Sequence, residues 1–441
     1  MRFIHGLLIT AILALTACTA TRQPLTLQQE VRAAKLADAT VSRDLETALA
    51  KAGDNRHDLL AAIQQAGNAE RREAMAFLIA YMPESDLKTL KPAFLLENLN
   101  SAYEARKRFP WAKKVPRSVF LNDVLPYATV TERRDAWRAD FLRRFGKIVE
   151  NCKTAEEAVL AINAGIIKEM GVTYKAKVRR PDQGPLESME LKHASCTGLS
   201  ILAIDACRAV GIPSRMAGIP CWSHLFGNHN WLEVWIDGQW RMTEHNMNGF
   251  DCGWVFDSIA LADTSKPAHQ IYASSWKPTG GIYPLIWAMH DNFSDQPPAP
   301  RPNRYCIPVK DKKGQTGWIT MDWEPQAMTV PGIEVSARYK QIVASLAAMK
   351  KSQIAADKQN LFLSFAGNRC QIARPVRFML KDQVVAEGKT NDSTHDLNDL
   401  ASFVLPKNAD LILEYRNAKG ELIRHPLHTG TTPIQILTLP E

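Results

Sequence analysis

The sequence predicts an α+β chain in three parts: an N-terminal helical region, a mixed helix–strand core and a C-terminal β-sandwich. Three observations carry this. Residues 25–82 contain no proline and are rich in Ala, Leu, Glu, Gln, Lys and Arg, the strong helix formers. Residues 151–295 mix helical spacing with strand alternation. From Leu361 onward short alternating stretches recur between turn signals. A length of 441 residues exceeds what one core usually holds, so several domains are expected.

The N-terminus comes first. Arg2 precedes the apolar run "GLLITAILAL", which is too short to span a bilayer as a mature helix. It ends in Leu15-Thr16-Ala17-Cys18, which resembles a bacterial lipobox. That resemblance implies that residues 1–18 are a lipoprotein signal region, with cleavage before Cys18 and lipid attached to Cys18. The expected location is the bacterial cell envelope. Thr19 offers no aspartate for inner-membrane retention, so the outer membrane is expected, facing the periplasm or the surface. An acyl chain contributes about 0.8 kcal/mol per buried CH2, so two or more chains anchor stably. Net charge is +8, but Lys and Arg are scattered, so no nucleic-acid partner is indicated.

Residues 19–150 read as a helical region. Ala74, Phe77, Leu78 and Tyr81 recur at helical spacing up to Pro83. A second helix is expected over 130–149, with Thr129 and Glu132 as a capping box and Trp137, Phe141, Phe145 and Ile148 on one face. Residues 296–360 read as a proline-rich linker followed by a polar helix over 336–358, and 361–441 as the β-sandwich. Eight cysteines include no CxxC pair. An envelope location permits disulfides among the six left after Cys18 and Cys196, with the pairing open.

The chemistry is expected in 151–295. Leu199, Leu202, Ala203, Ala206 and Val210 share one helical face, Gly211 suits a C′ position and Pro213 stops the helix. Cys196 therefore opens a helix, where free N–H groups and the helix dipole favour a thiolate. Cys207 has the same side chain deep in that helix and reads as core. Downstream, Asn230–Ile236 reads as a strand, Asp237-Gly238 as a type I′ turn, and a second strand follows. The two-residue loop pairs Trp235 with Trp240. Extended outward, it puts His229, Glu244 and Asn246 on one face and His245 on the other.

A thiol, an imidazole and an acid in this order make a nucleophile, its general base and an orienting acid. Cys196, His229 and Glu244 are the expected catalytic residues, with Asn246 the alternative third member. The Cys196 backbone N–H, and a side chain such as Gln183 in "PDQGPLES", are candidate oxyanion donors; an ordinary loop glutamine is the other reading of Gln183. A metal reading of Cys221, His224, His229, His245 and Cys252 fits no common zinc spacing and leaves Cys196 unexplained, so no metal or other cofactor is called for.

The arrangement resembles the transglutaminase-like superfamily. The resemblance rests on Cys196 before a helix, Gly211-Ile212-Pro213-Ser214-Arg215 at its end, His229-Asn230-Trp231 opening a strand, Glu233 within it and Trp240 four residues before an acid. "GNHNW", the "CGW" near 252 and "HQIYASSW" look like its bacterial secreted members of unassigned substrate. It implies a papain-like core over 151–295 and a Cys–His–Asp triad, whereas this chain has Glu244 at the acid position. The expected activity is that of a lipid-anchored cysteine peptidase or amidase acting on a peptide, a protein or a peptidoglycan stem peptide. Transamidation, glycan–asparagine amide cleavage and a non-catalytic envelope binding or scaffold role are the alternatives.

Overall fold

The structure is a computed structural model. It describes residues 26–439 apart from 177, 224–226, 286, 288–290, 295–303, 311–315, 323–328, 352–354, 366–372, 393, 397, 418 and 433. Cys18 and the expected signal region lie outside the described residues, as do His224 and the prolines at 297–302. It is an α+β fold with N-terminal helices, a mixed core and C-terminal sheets.

The helical layer is built on its own core, in which Leu45, Leu59, Ile63, Ala74, Leu78 and Leu99 are fully buried. The expected helix over 130–149 starts later, at Arg138, and ends at Ile148. Glu132 does not cap it. Its carboxylate instead accepts the N–H groups of Thr129 and Val130 within a buried loop. Trp137, Phe141 and Phe145 still face the core, as their spacing requires.

This layer grips the Cys196 helix, Cys196–Ala209, through two buried guanidiniums. Arg138 donates to the Arg208, Val124 and Pro126 carbonyls, and Arg208 donates to those of Asp123, Ser214 and Ala128. Burial, then the charge of Arg208, pulls Arg138 down to about 9. Fanning many charged donors onto carbonyls satisfies groups that would otherwise be costly to bury. At the far end of the helix, Trp111 Nε1 donates to the Val210 carbonyl and Gly211 takes φ +77°, the left-handed C′ conformation.

Behind the helix lies a six-stranded antiparallel sheet. Its order is Gln239–Thr243, His229–Ile236, Ser214–Ile219, Tyr272–Ser274, Thr329–Glu334, Gly281–Pro284. Leu232, Val234 and Ile236 face the Cys196 helix. Trp231 faces a second layer that includes Tyr339 of the helix Ser336–Lys351. The segment read as a linker is thus partly structural: Thr329–Glu334 enters this sheet, and the helix after it covers the sheet and ends at Lys351, short of residue 358. Glu233, fully buried, anchors that layer. It pairs with Arg215 at 2.8 Å and with Arg338, and it accepts the Tyr339 hydroxyl at 2.7 Å.

The C-terminal part packs a three-stranded against a four-stranded sheet. Val376, Phe378, Leu405, Leu411 and Leu413 fill the space between, with Val376 and Phe378 in the expected alternation. Among the described residues no helix is long and apolar enough to cross a membrane. Cys152, Cys207 and Cys252 are free thiols.

Candidate active site

Cys196 is the first residue of its helix and is partly exposed. Ser195 is the N-cap, and its hydroxyl accepts the Gly198 N–H at 3.4 Å while donating to the Pro181 carbonyl at 3.0 Å. The cap therefore ties the helix start to the 181–184 loop. A side chain at position 198 would meet Ala194 Cβ at 2.8 Å, so this turn admits only glycine without rearrangement. Gln183 lies beneath, 1% exposed, and donates through Nε2 to the His193 carbonyl at 3.1 Å. One of its two N–H groups is thus committed, leaving the other as the candidate donor.

The hairpin pairs as the turn predicts. Trp235 opposes Trp240, the ladder runs out to Leu232 and Thr243, and Asp237 and Gly238 take φ +49° and +89°. There it stops. The Met247 N–H donates to the Glu244 carbonyl and closes a turn, while the Thr243 hydroxyl donates to the Gly249 carbonyl. Strand alternation therefore fails beyond Thr243. Asn246, the alternative third member, leaves the ladder: it is exposed, has φ +63°, and gives its N–H to the Asn163 carbonyl. His245, expected on the reverse face, lies within reach of the same charges. Its pKa is lowered, by burial first, with Glu244 and Asp396 opposing and His229 adding to the fall.

Glu244 is placed as the spacing predicted, with its Oε1 against Nε2 of His229. The other face of the imidazole holds a group from the C-terminal sheets. Asp396 Oδ2 stands 3.3 Å from His229 Nδ1. A sulfur of Cys196, a ring nitrogen of His229 and a carboxylate oxygen of Asp396 all lie within 4.8 Å of one another. The cluster therefore joins the thiol to the imidazole and to Asp396, while Glu244 meets the ring at Nε2. Asp396 is the residue that sequence reasoning missed. It sits in the loop between the strands Gln383–Lys389 and Ala401–Pro406, in a different layer, and no local pattern links it to His229.

The electrostatics follow from this sandwich of acids. Burial alone would lower His229. The charges of Asp396 and Glu244, and hydrogen bonding from Asp396 and Cys196, outweigh it and hold the ring well above its ordinary value. Asp396 moves the opposite way. Burial pushes it up, but the His229 charge and the N–H groups of Asn398 bring it below the usual carboxylate range. Two rings brace the imidazole, Trp254 with centroids 4.6 Å away and Trp231 at 5.7 Å.

A neutral network joins helix and sheet beside the thiol. Asn230 Nδ2 donates to Thr197 Oγ1 at 2.7 Å, and Asn230 Oδ1 accepts the Tyr283 hydroxyl at 2.7 Å. Tyr283 is raised well above its ordinary value, by burial first and then by the negative charge of Cys196, which places it beside the thiol. Gly218 makes room for this network. A Cβ there would collide with Asn230 Oδ1, and would lie 2.7 Å from the His229 carbonyl and 2.9 Å from the Tyr283 hydroxyl.

The profile of the transglutaminase-like superfamily core matches residues 144–244, so this stretch is a transglutaminase-like domain. The match contains Cys196 and His229, ends on Glu244 and stops short of Asp396. No curated protein matches the chain. Among solved structures, one described as a candidate cysteine protease of Cytophaga hutchinsonii is 24% identical, with TM-score 0.22, over 26% of this chain and 39% of that one. Another, described as a candidate protease of Parabacteroides distasonis, is 8% identical, with TM-score 0.21, over 58% of this chain and 57% of that one. The chain thus spans well under two thirds of either, and the domain assignment rests on the profile match.

Proposed function

We propose that the protein is a thiol hydrolase, a cysteine peptidase or amidase, anchored in the cell envelope through Cys18 and acting on peptides, proteins or peptidoglycan stem peptides. The observation that carries this reading is the imidazole of His229. It is held at Nε2 by Glu244 and shares a cluster within 4.8 Å with the thiol of a helix-opening cysteine. A fixed tautomer on one nitrogen leaves the other free to exchange a proton with sulfur.

The steps follow. The Cys196 sulfur attacks the amide carbonyl carbon as its proton passes to His229. The developing oxyanion meets the Cys196 backbone N–H and the second N–H of Gln183. The C–N bond breaks as His229 protonates the leaving amine, and a thioester remains. Water, losing a proton to His229, attacks the thioester, and the sulfur leaves as thiolate. The net change is addition of one water across one amide bond.

A second reading places Asp396 as the acid, giving the Cys–His–Asp combination usual in this superfamily. The tight cluster of Cys196, His229 and Asp396 favours it. Intact-mass analysis of envelope peptides incubated with the wild type and with Cys196→Ala tests the reaction. A gain of about 18 mass units per cut, seen only with wild type, supports hydrolysis. Amine-linked products would make it a transamidase, and identical spectra would leave a binding protein.

A further inference from the structure

His229 Nδ1 and Asp396 Oδ2 form a buried ion pair at 3.3 Å, longer than a well-formed charge-assisted hydrogen bond, and no other hydrogen bond of good geometry reaches either atom. Their side chains are 3% and 10% exposed. A pair held this loosely keeps lone-pair capacity for an added ligand. The spacing fits one. Two ligands about 2.05 Å from a tetrahedral ion lie about 3.3 Å apart, which is the edge for a zinc bound by nitrogen and oxygen. Cys196 supplies a third, softer ligand within the same 4.8 Å cluster.

The surrounding bonds match what such a site requires. A ligating histidine donates its other ring N–H to a carboxylate, and ligating carboxylates are themselves hydrogen-bonded. Here Nε2 of His229 is held by Glu244. Asp396 Oδ1 accepts the backbone N–H of Asn398 at 2.8 Å and its Nδ2 at 3.0 Å. Asn398 in turn donates Nδ2 to the Asn228 carbonyl at 3.0 Å, which fastens the acid's loop beside His229. Gly227, at φ +125°, permits that approach, since a Cβ there would lie 2.9 Å from Asn398 Oδ1.

We propose that Cys196, His229 and Asp396 form a three-ligand site for a borderline-soft divalent cation of the zinc type, with a fourth position open to water. Binding takes Cys196 as thiolate and releases its proton where the thiol is protonated. The metal then engages the sulfur electron pair that would attack a carbonyl, so occupancy holds the thiol inactive until the ion is withdrawn. The binding rests on the geometry alone. Its effect on turnover rests on the thiol-hydrolase reading above.

The test uses the full chain, freed of metal by dialysis against chelator, and Co2+ alone as the probe. One equivalent should bind with the near-ultraviolet absorption of a cobalt–thiolate bond and the visible bands of four-coordinate cobalt, and Zn2+ should displace it. Asp396→Ala should weaken binding at least tenfold, and Cys196→Ala should abolish the thiolate band. Glu244→Gln should weaken binding by about 10- to 100-fold. Asp396→Asn, which keeps the shape of the side chain, serves if the alanine variant fails to fold. Zn2+ should slow iodoacetamide labelling of Cys196, and chelator should restore it. Cobalt binding without a thiolate band, or equal affinity in wild type and both Asp396 variants, would overturn the site. An intact cobalt spectrum in a chain that hydrolyses no peptide would uphold the site and sink the hydrolase reading instead.

Discussion

Asp396 and Glu244 face each other across one imidazole, the first at Nδ1 of His229 and the second at Nε2. The two acids come from different layers of the molecule, and each meets a different ring nitrogen. Glu244→Gln should lower kcat by about 100-fold or more, the usual worth of a correctly held general base. Asp396→Asn should cost less. Steady-state kinetics on a peptide identified by mass analysis would decide, and the reverse order of effects would transfer the third place to Asp396.

Cys196 and Cys207 give an internal comparison on one helix. Burial pushes Cys207 up to about 12, and its side chain is wholly enclosed. Iodoacetamide followed by peptide mapping should label Cys196 while leaving Cys207 untouched in the folded protein. Equal protection of both would remove the nucleophile.

The pairing of His229 with Asp396 makes the contact between the core and the C-terminal sheets depend on pH. The raised His229 contributes fully below its ordinary value of about 6.5, and that contribution is lost as pH rises through its raised value. The lowered Asp396 contributes fully above about 3.9, and that contribution is lost as pH falls through its lowered value. The contact should be firmest between these limits. The protection of residues 394–400 against hydrogen exchange, taken relative to the intrinsic rate at each pH, should fall in acid, and Asp396→Asn should remove that acid limb. An unchanged acid limb in the variant would mean that other carboxylates control it.

Gly218→Ala should disturb the site without touching a reacting group. The added methyl meets the Asn230 side chain and the His229 carbonyl, and overpacking of this kind costs about 1–3 kcal/mol. Urea unfolding should show the loss, and turnover should fall with it as Asn230 is pushed off Thr197. A variant as stable as wild type would mean that the sheet opens there more easily than its spacing implies.

Much of the site was legible because its signals are local. The Cys196 helix announced itself through its apolar face and its Gly211–Pro213 stop. The hairpin register followed from Asp237-Gly238, and Glu244 from that register. The reading failed where local signals yield to tertiary ones. Thr243 turns its hydroxyl to the Gly249 carbonyl and ends the ladder, so alternation no longer placed Asn246. Glu132 looked like a helix cap but closes a loop. Asp396 was invisible because its partner lies in another layer of the fold, far along the chain, and nothing in its neighbours encodes that meeting.

The seating of the Asp396 loop beside His229 has a consequence for how the protein matures. During synthesis the Cys196 helix and the His229 strand emerge well before residue 396. The imidazole therefore meets its second carboxylate only once the last sheets have closed. A chain still being made carries its thiol and its base but not the group that completes their charge balance. The order of residues along the polypeptide thereby becomes an order of assembly, in which the reactive centre reaches its final state after the rest of the molecule has arrived.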